Sequence, residues 1–93
     1  MLERDIKNRI KRYLKKINSV KIVSYYAYIY GEPGTPDFIG CWDGKCILIE
    51  VKNEKGKLSP LQEQRIKEWK NVGAIVIVAR SVDDIKNIIK GGD

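Results

Sequence analysis

The sequence contains no histidine. That removes the usual general base for a serine or cysteine nucleophile. There are two cysteines, Cys41 and Cys46, and ordinary zinc sites need more Cys or His than this. Any catalysis must therefore rest on carboxylates, lysines, tyrosines or a metal held by oxygen. No apolar run reaches the length of a membrane span. The N-terminal stretch MLERDIKNRIKRYLKK is amphipathic and lacks the continuous apolar segment of a signal peptide. A cytoplasmic protein is expected, and in that compartment two small, buried free thiols are favoured over a disulfide.

What the chain does have is charge. Its 93 residues carry a net charge of +6. Within residues 1–17, Arg4, Lys7, Arg9, Lys11, Arg12, Lys15 and Lys16 face only Glu3 and Asp5. A basic helix face is an electrostatic footprint for a polyanion. It also fits a merely solvated face, or a helix on a membrane surface, although its aliphatic stripe looks like core. With 43% hydrophobic and 32% charged residues, a globular chain is expected, and the length fits one domain over residues 1–93.

Apolar positions Leu2, Ile6, Ile10, Tyr13, Leu14 and Ile17 predict a helix over 2–17. Residues 19–30, rich in Val, Ile and Tyr, predict a strand, and the Gly- and Pro-bearing stretch 31–36 a loop. DFIGCW and KCILIEVK flank Asp43-Gly44, which signals a tight two-residue hairpin. A helix over 59–72 has Ser59 as N-cap, Pro60 in its first turn and Gly73 just past its end. Residues 74–80 read as a strand covered on both faces, and 81–90 as a short helix. The expected architecture is α/β, in the order αβββαβα, with a mixed sheet of about four strands flanked by helices.

A two-residue turn at Asp43-Gly44 fixes the hairpin register. Trp42 faces Lys45, Cys41 faces Cys46, Ile39 faces Leu48 and Asp37 faces Glu50. Two carboxylates would then lie opposite each other, with Lys52 one step further on the same face. Like charges placed so repel unless a cation sits between them. On the first helix Glu3 falls within the apolar stripe and Asp5 outside it. On the second, Leu61, Ile66, Trp69 and Val72 mark the inner side, with Gln62 among them. Glu3, Asp37, Glu50, Lys52 and Gln62 thus point to one space. Their hard oxygen ligands suit Mg²⁺ or Mn²⁺. Glu50 and Lys52 also fit an ordinary surface pair, and Gln62 fits a capping box with Ser59.

In order along the chain, Glu3, Gly34-Thr35-Pro36-Asp37, Glu50-Val51-Lys52 and Leu58-Ser59-Pro60-Leu61-Gln62 resemble the VRR-NUC (virus-type replication-repair nuclease) branch of the PD-(D/E)xK nucleases. The resemblance implies a restriction-endonuclease-like core. It implies that Asp37, Glu50 and the Val51 carbonyl hold a metal, with Glu3 as a further acidic group. Lys52 would serve the attacking water and Gln62 would support the site. The chain looks like a stand-alone, phage-type member, which would act in a bacterial host cell. Such members resemble homodimeric enzymes that cut branched DNA, including four-way junctions. Arg4, Lys7, Lys11, Lys55 and Lys57 would contact phosphates. A basic nucleic-acid-binding module without catalysis is the alternative, and a small structural or partner-binding protein is a third reading.

Overall fold

The computed structural model describes residues 1–24 and 33–89. The first helix, α1 (Glu3–Lys15), buries Ile6, Ile10 and Leu14. Their spacing puts them on one face, and Ile17 continues the stripe just past the helix. Strand β1 (Val20–Ser24) follows. The expected strand beyond residue 24 and its tyrosines, Tyr25, Tyr26, Tyr28 and Tyr30, lie outside the described residues, as does the start of the loop at 31 and 32.

Strands β2 (Phe38–Trp42) and β3 (Lys45–Val51) form the hairpin. Asp43 and Gly44 both have positive φ, 50° and 77°, the signature of a type I′ turn whose twist matches the strands. The register is the expected one, with Cys41 opposite Cys46 and Ile39 opposite Leu48. The cysteines are free but exposed, not buried. They sit near the hairpin tip, which none of the described helices covers.

Helix α2 (Pro60–Asn71) crosses from β3 to β4 (Ile75–Ala79), and the short α3 (Val82–Lys86) closes the series. The sheet order is β1-β2-β3-β4, with β3 and β4 parallel and the other pairs antiparallel. This is the expected mixed four-stranded sheet. Its two faces differ. Phe38, Ile47, Ile49, Val51, Ile77 and Ala79 pack with α1, Ile85 and Ile89 into one core. The opposite face carries Leu48 and Glu50 and is covered by α2.

That second layer is thin. Ile66 is the only residue α2 buries. Leu61 and Val72, expected to face inward, are 41% and 79% exposed. Val76 and Val78 of β4 are only half-buried, so β4 is fully covered on one face alone.

Candidate active site

Strand β3 is central, flanked by β2 and β4. Its apolar run carries Glu50 inward with it, and Glu50 is 4% exposed. Sheet alternation aims Glu50 at the α2 side, between neighbours that aim at the main core. There Gln62 Nε2 donates to Glu50 Oε2 at 3.2 Å, and Lys52 Nζ lies 3.8 Å from the same oxygen.

Asp37 arrives from the other strand of the hairpin. The β2–β3 ladder ends at the Phe38–Ile49 pair, one step before the expected Asp37–Glu50 pair. A continued ladder would need Pro36, which has no N–H to give. Asp37 bends away and uses its side chain instead. Its Oδ2 accepts from the Val51 N–H at 2.8 Å, so the carboxylate ties off a backbone donor that would otherwise lack a partner. The loop before it leans on α2. Gly34 has φ of 83°, and a Cβ there would come within 2.8 Å of Leu61 Cγ. Exposed Leu61 therefore still has a packing role.

The two carboxyls meet. Burial pushes the Glu50 carboxyl up to about 8, helped by the Asp37 charge and a hydrogen bond shared with Asp37, and more weakly by Glu3; Lys52 opposes the shift. Glu3 is itself exposed, at the first position of α1. Since α1 and α2 lie on opposite faces of the sheet, Glu3 and Gln62 stand on different sides of the strand that carries Glu50.

Gln62 caps its helix and reaches Glu50 at the same time. Its Oε1 accepts from the Ser59 N–H at 2.9 Å while the Ser59 hydroxyl accepts from the Gln62 N–H at 3.1 Å, a complete capping box. Its Nε2 is left for Glu50. The cap fixes which end of the amide faces the carboxyl.

Lys7 stands elsewhere than on an open basic face. Its ammonium is 3.4 Å from Asp37 Oδ1 and lies over the Phe38 ring. Arg4, Lys11, Lys55 and Lys57 are exposed. Nothing in the linear pattern singles out Arg80, a basic residue at the end of an apolar strand. Its Nη1 donates to the carbonyls of both Asn53 and Gly56 at 2.6 Å. A cavity of about 320 Å³ lies beside it, lined in part by Ile6, Arg9, Glu54 and Val82, and by none of Asp37, Glu50, Lys52 or Gln62.

Among the described residues, no group of three or more acidic, Cys or His side chains is assembled to hold a metal. The groups at hand are two carboxyls and the adjoining backbone. Burial and the neighbouring Asp37 charge disfavour an ionised Glu50, and Lys52 only partly opposes this. A hard divalent cation would relieve that. One or two carboxylates with water and phosphate oxygens is the usual Mg²⁺ arrangement. The residues fit such an ion.

A family model, the VRR-NUC domain, matches residues 2–83. A solved structure described as a "VRR_NUC domain protein" superposes with a TM-score of 0.76 at 20% identity, covering 97% of this chain and 86% of that one. Another, a "VRR_NUC domain", gives 0.75 at 23% identity, covering 98% and 97%. At these identities the structures speak to the fold alone. No curated protein matches the sequence. With a nuclease-type fold and a family match over most of its length, the chain belongs to the VRR-NUC domain family.

Proposed function

We propose that this protein is a divalent-metal-dependent endodeoxyribonuclease that hydrolyses phosphodiesters in branched DNA, such as four-way junctions, and acts as a homodimer. The observation that carries the reading is a buried Glu50 whose carboxyl meets Asp37, with Lys52 Nζ 3.8 Å away. Burying Glu50 beside a second carboxyl is costly.

Asp37, Glu50 and the Val51 carbonyl would hold Mg²⁺ or Mn²⁺, with Glu3 adding negative charge nearby. Bound there, the cation would supply Lewis-acid stabilisation of charge on the phosphate and its attacking water. The chain's own residues do the rest. Val51 N–H fixes Asp37, and Gln62 orients the Glu50 carboxyl. Lys52 places a positive charge where the phosphate becomes more negative, and can orient the incoming water. Arg4, Lys11, Lys55 and Lys57 offer exposed cations for the phosphate backbone. Lys7, held against Asp37, keeps that carboxylate balanced until a cation replaces it.

The preference for branched DNA and the dimer rest on the resemblance and on economy. One chain presents one such site, and resolving a junction requires two cuts. The test uses labelled linear, flap and four-way-junction DNA with Mg²⁺, Mn²⁺ or EDTA. Cutting is expected with either metal, most strongly on the junction, and none in EDTA. Asp37→Ala and Glu50→Ala should each lower it by at least about 100-fold. Tight binding by all three proteins without cutting in either metal would overturn the proposal and favour a non-catalytic binding module.

A further inference from the structure

Arg80 immediately follows β4 and is exposed. Its backbone is pinned, since the Arg80 N–H donates to Asp84 Oδ2 at 2.8 Å. Its side chain reaches across to the loop after β3, where Nη1 donates to the carbonyls of Asn53 and Gly56. These are charge-assisted bonds to two backbone groups three residues apart. The same turn is closed from within, because Asn53 Oδ1 accepts from the Gly56 N–H at 2.7 Å and the Lys55 N–H at 3.1 Å. A Cβ at Gly56 would stand 3.4 Å from Lys52 Cδ and 3.5 Å from Lys52 Cβ. The clamped turn therefore lies along the methylene stem of Lys52, whose ammonium is at Glu50.

We infer that Arg80 is a positioning residue for Lys52, acting through the 53–56 turn that it clamps. The inference rests on the nuclease reading only for its effect on rate; the physical claim concerns where Lys52 sits. Lysine is a flexible side chain with four rotatable methylene bonds, and a wall along its stem removes many of its rotamers. Losing about 1 Å of placement in such a group can cost on the order of 100-fold in rate. Arg80 is exposed, so removing its guanidinium leaves no cavity in the core.

The test compares wild type with Arg80→Ala, Arg80→Lys, Lys52→Ala and the Arg80→Ala/Lys52→Ala double variant. Turnover and KM are measured on the DNA that wild type cuts best. DNA affinity in EDTA and the melting temperature are measured alongside. Arg80→Ala should lower kcat by about 10- to 100-fold, with DNA affinity within about twofold of wild type. Both bonds come from one nitrogen, and an ammonium also carries several donors, so Arg80→Lys should restore part of the loss. In the Lys52→Ala background, Arg80→Ala should cost nothing further. A second readout needs no catalysis: the rate at which acetic anhydride acylates Lys52, followed by peptide mass, should rise severalfold in Arg80→Ala while Lys57 stays unchanged. An unchanged Lys52 acylation rate, an additive double variant, or a loss confined to DNA affinity would overturn the inference. A wild type that never cuts DNA, combined with the expected acylation change, would overturn the nuclease reading and leave the positioning role standing.

Discussion

A carboxylic acid that is 4% exposed, in a central strand between Ile49 and Val51, has few ways to carry charge. Gln62 gives it one neutral donor, Lys52 one cation, and Asp37 a competing anion. The outcome is a folded pKa of about 8 against an ordinary 4.5. The sign of the stability effect follows. Between those values the folded protein binds more protons than the unfolded one, so stability falls as pH rises. The stabilising contribution is complete below 4.5 and is lost as pH passes through about 8. Glu50→Gln keeps a neutral side chain at every pH. In EDTA its melting temperature should be close to wild type at pH 5 and at least about 5 °C higher at pH 8.5, a gap of a few kcal/mol. Added Mg²⁺ or Mn²⁺ should reverse the order by stabilising wild type alone. Cation affinity should rise with pH over the same window, because the ion must displace a proton. Parallel melting curves for the two proteins across that range would sink this account of Glu50.

Gly40 shows how closely the strands approach. A Cβ there would run into the Lys21 carbonyl oxygen and stand 2.7 Å from Ile22 Cα. Both are backbone atoms of β1, so neither can swing aside. Gly40→Ala should open the β1–β2 ladder and lower the urea midpoint by the equivalent of about 1–3 kcal/mol, leaving the β2–β3 hairpin with its turn. An unchanged midpoint would mean that β1 moves freely on β2. At this scale the sequence was readable wherever one physical rule dominated. Positive φ at Asp43 and Gly44 follows from the dipeptide, and the register of Ile39 on Leu48 follows from the turn. The α1 stripe follows from its spacing, and Ser59, Pro60 and Gly73 bracket α2. Rules in competition were harder to read. The ladder ended a pair early because Pro36 has no N–H, yet Asp37 still reached Glu50 through its side chain. In α2, Ile66 and Gln62 face the sheet as expected, but Leu61 and Val72, expected beside them, are exposed. A short helix with few apolar residues does not fix its own rotation. The cysteines, expected to be buried, are exposed near the hairpin tip.

The whole molecule is small and positively charged. Its Cα dimensions are 36 × 32 × 24 Å, so the longest axis is close to one turn of duplex DNA, about 34–36 Å. One chain can therefore touch only a short stretch of backbone, and its net charge of +6 sets the scale of the attraction. The cations are not equivalent. Arg4, Lys11, Lys55 and Lys57 are exposed, whereas Lys7 is committed to Asp37 and Arg80 to the 53–56 turn. The approach of Lys52 and Gln62 to Glu50 could be traced from strand alternation and helical periodicity, but this division of labour among the basic residues could not, because it depends on which partner each reaches in space. It has a measurable consequence. The logarithm of DNA affinity falls with the logarithm of salt concentration by about 0.9 for each duplex phosphate neutralised. Lys55→Ala and Lys57→Ala, measured in EDTA so that no cutting intervenes, should each reduce that slope by about 1. Lys7→Ala should leave the slope unchanged, because its ammonium already has an internal carboxylate. It should instead tighten divalent-cation binding by freeing Asp37 from a competing positive charge. If Lys7→Ala reduced the salt slope as much as Lys57→Ala does, with no gain in cation affinity, Lys7 would be a backbone contact, and the site would have to balance the Asp37 charge in some other way.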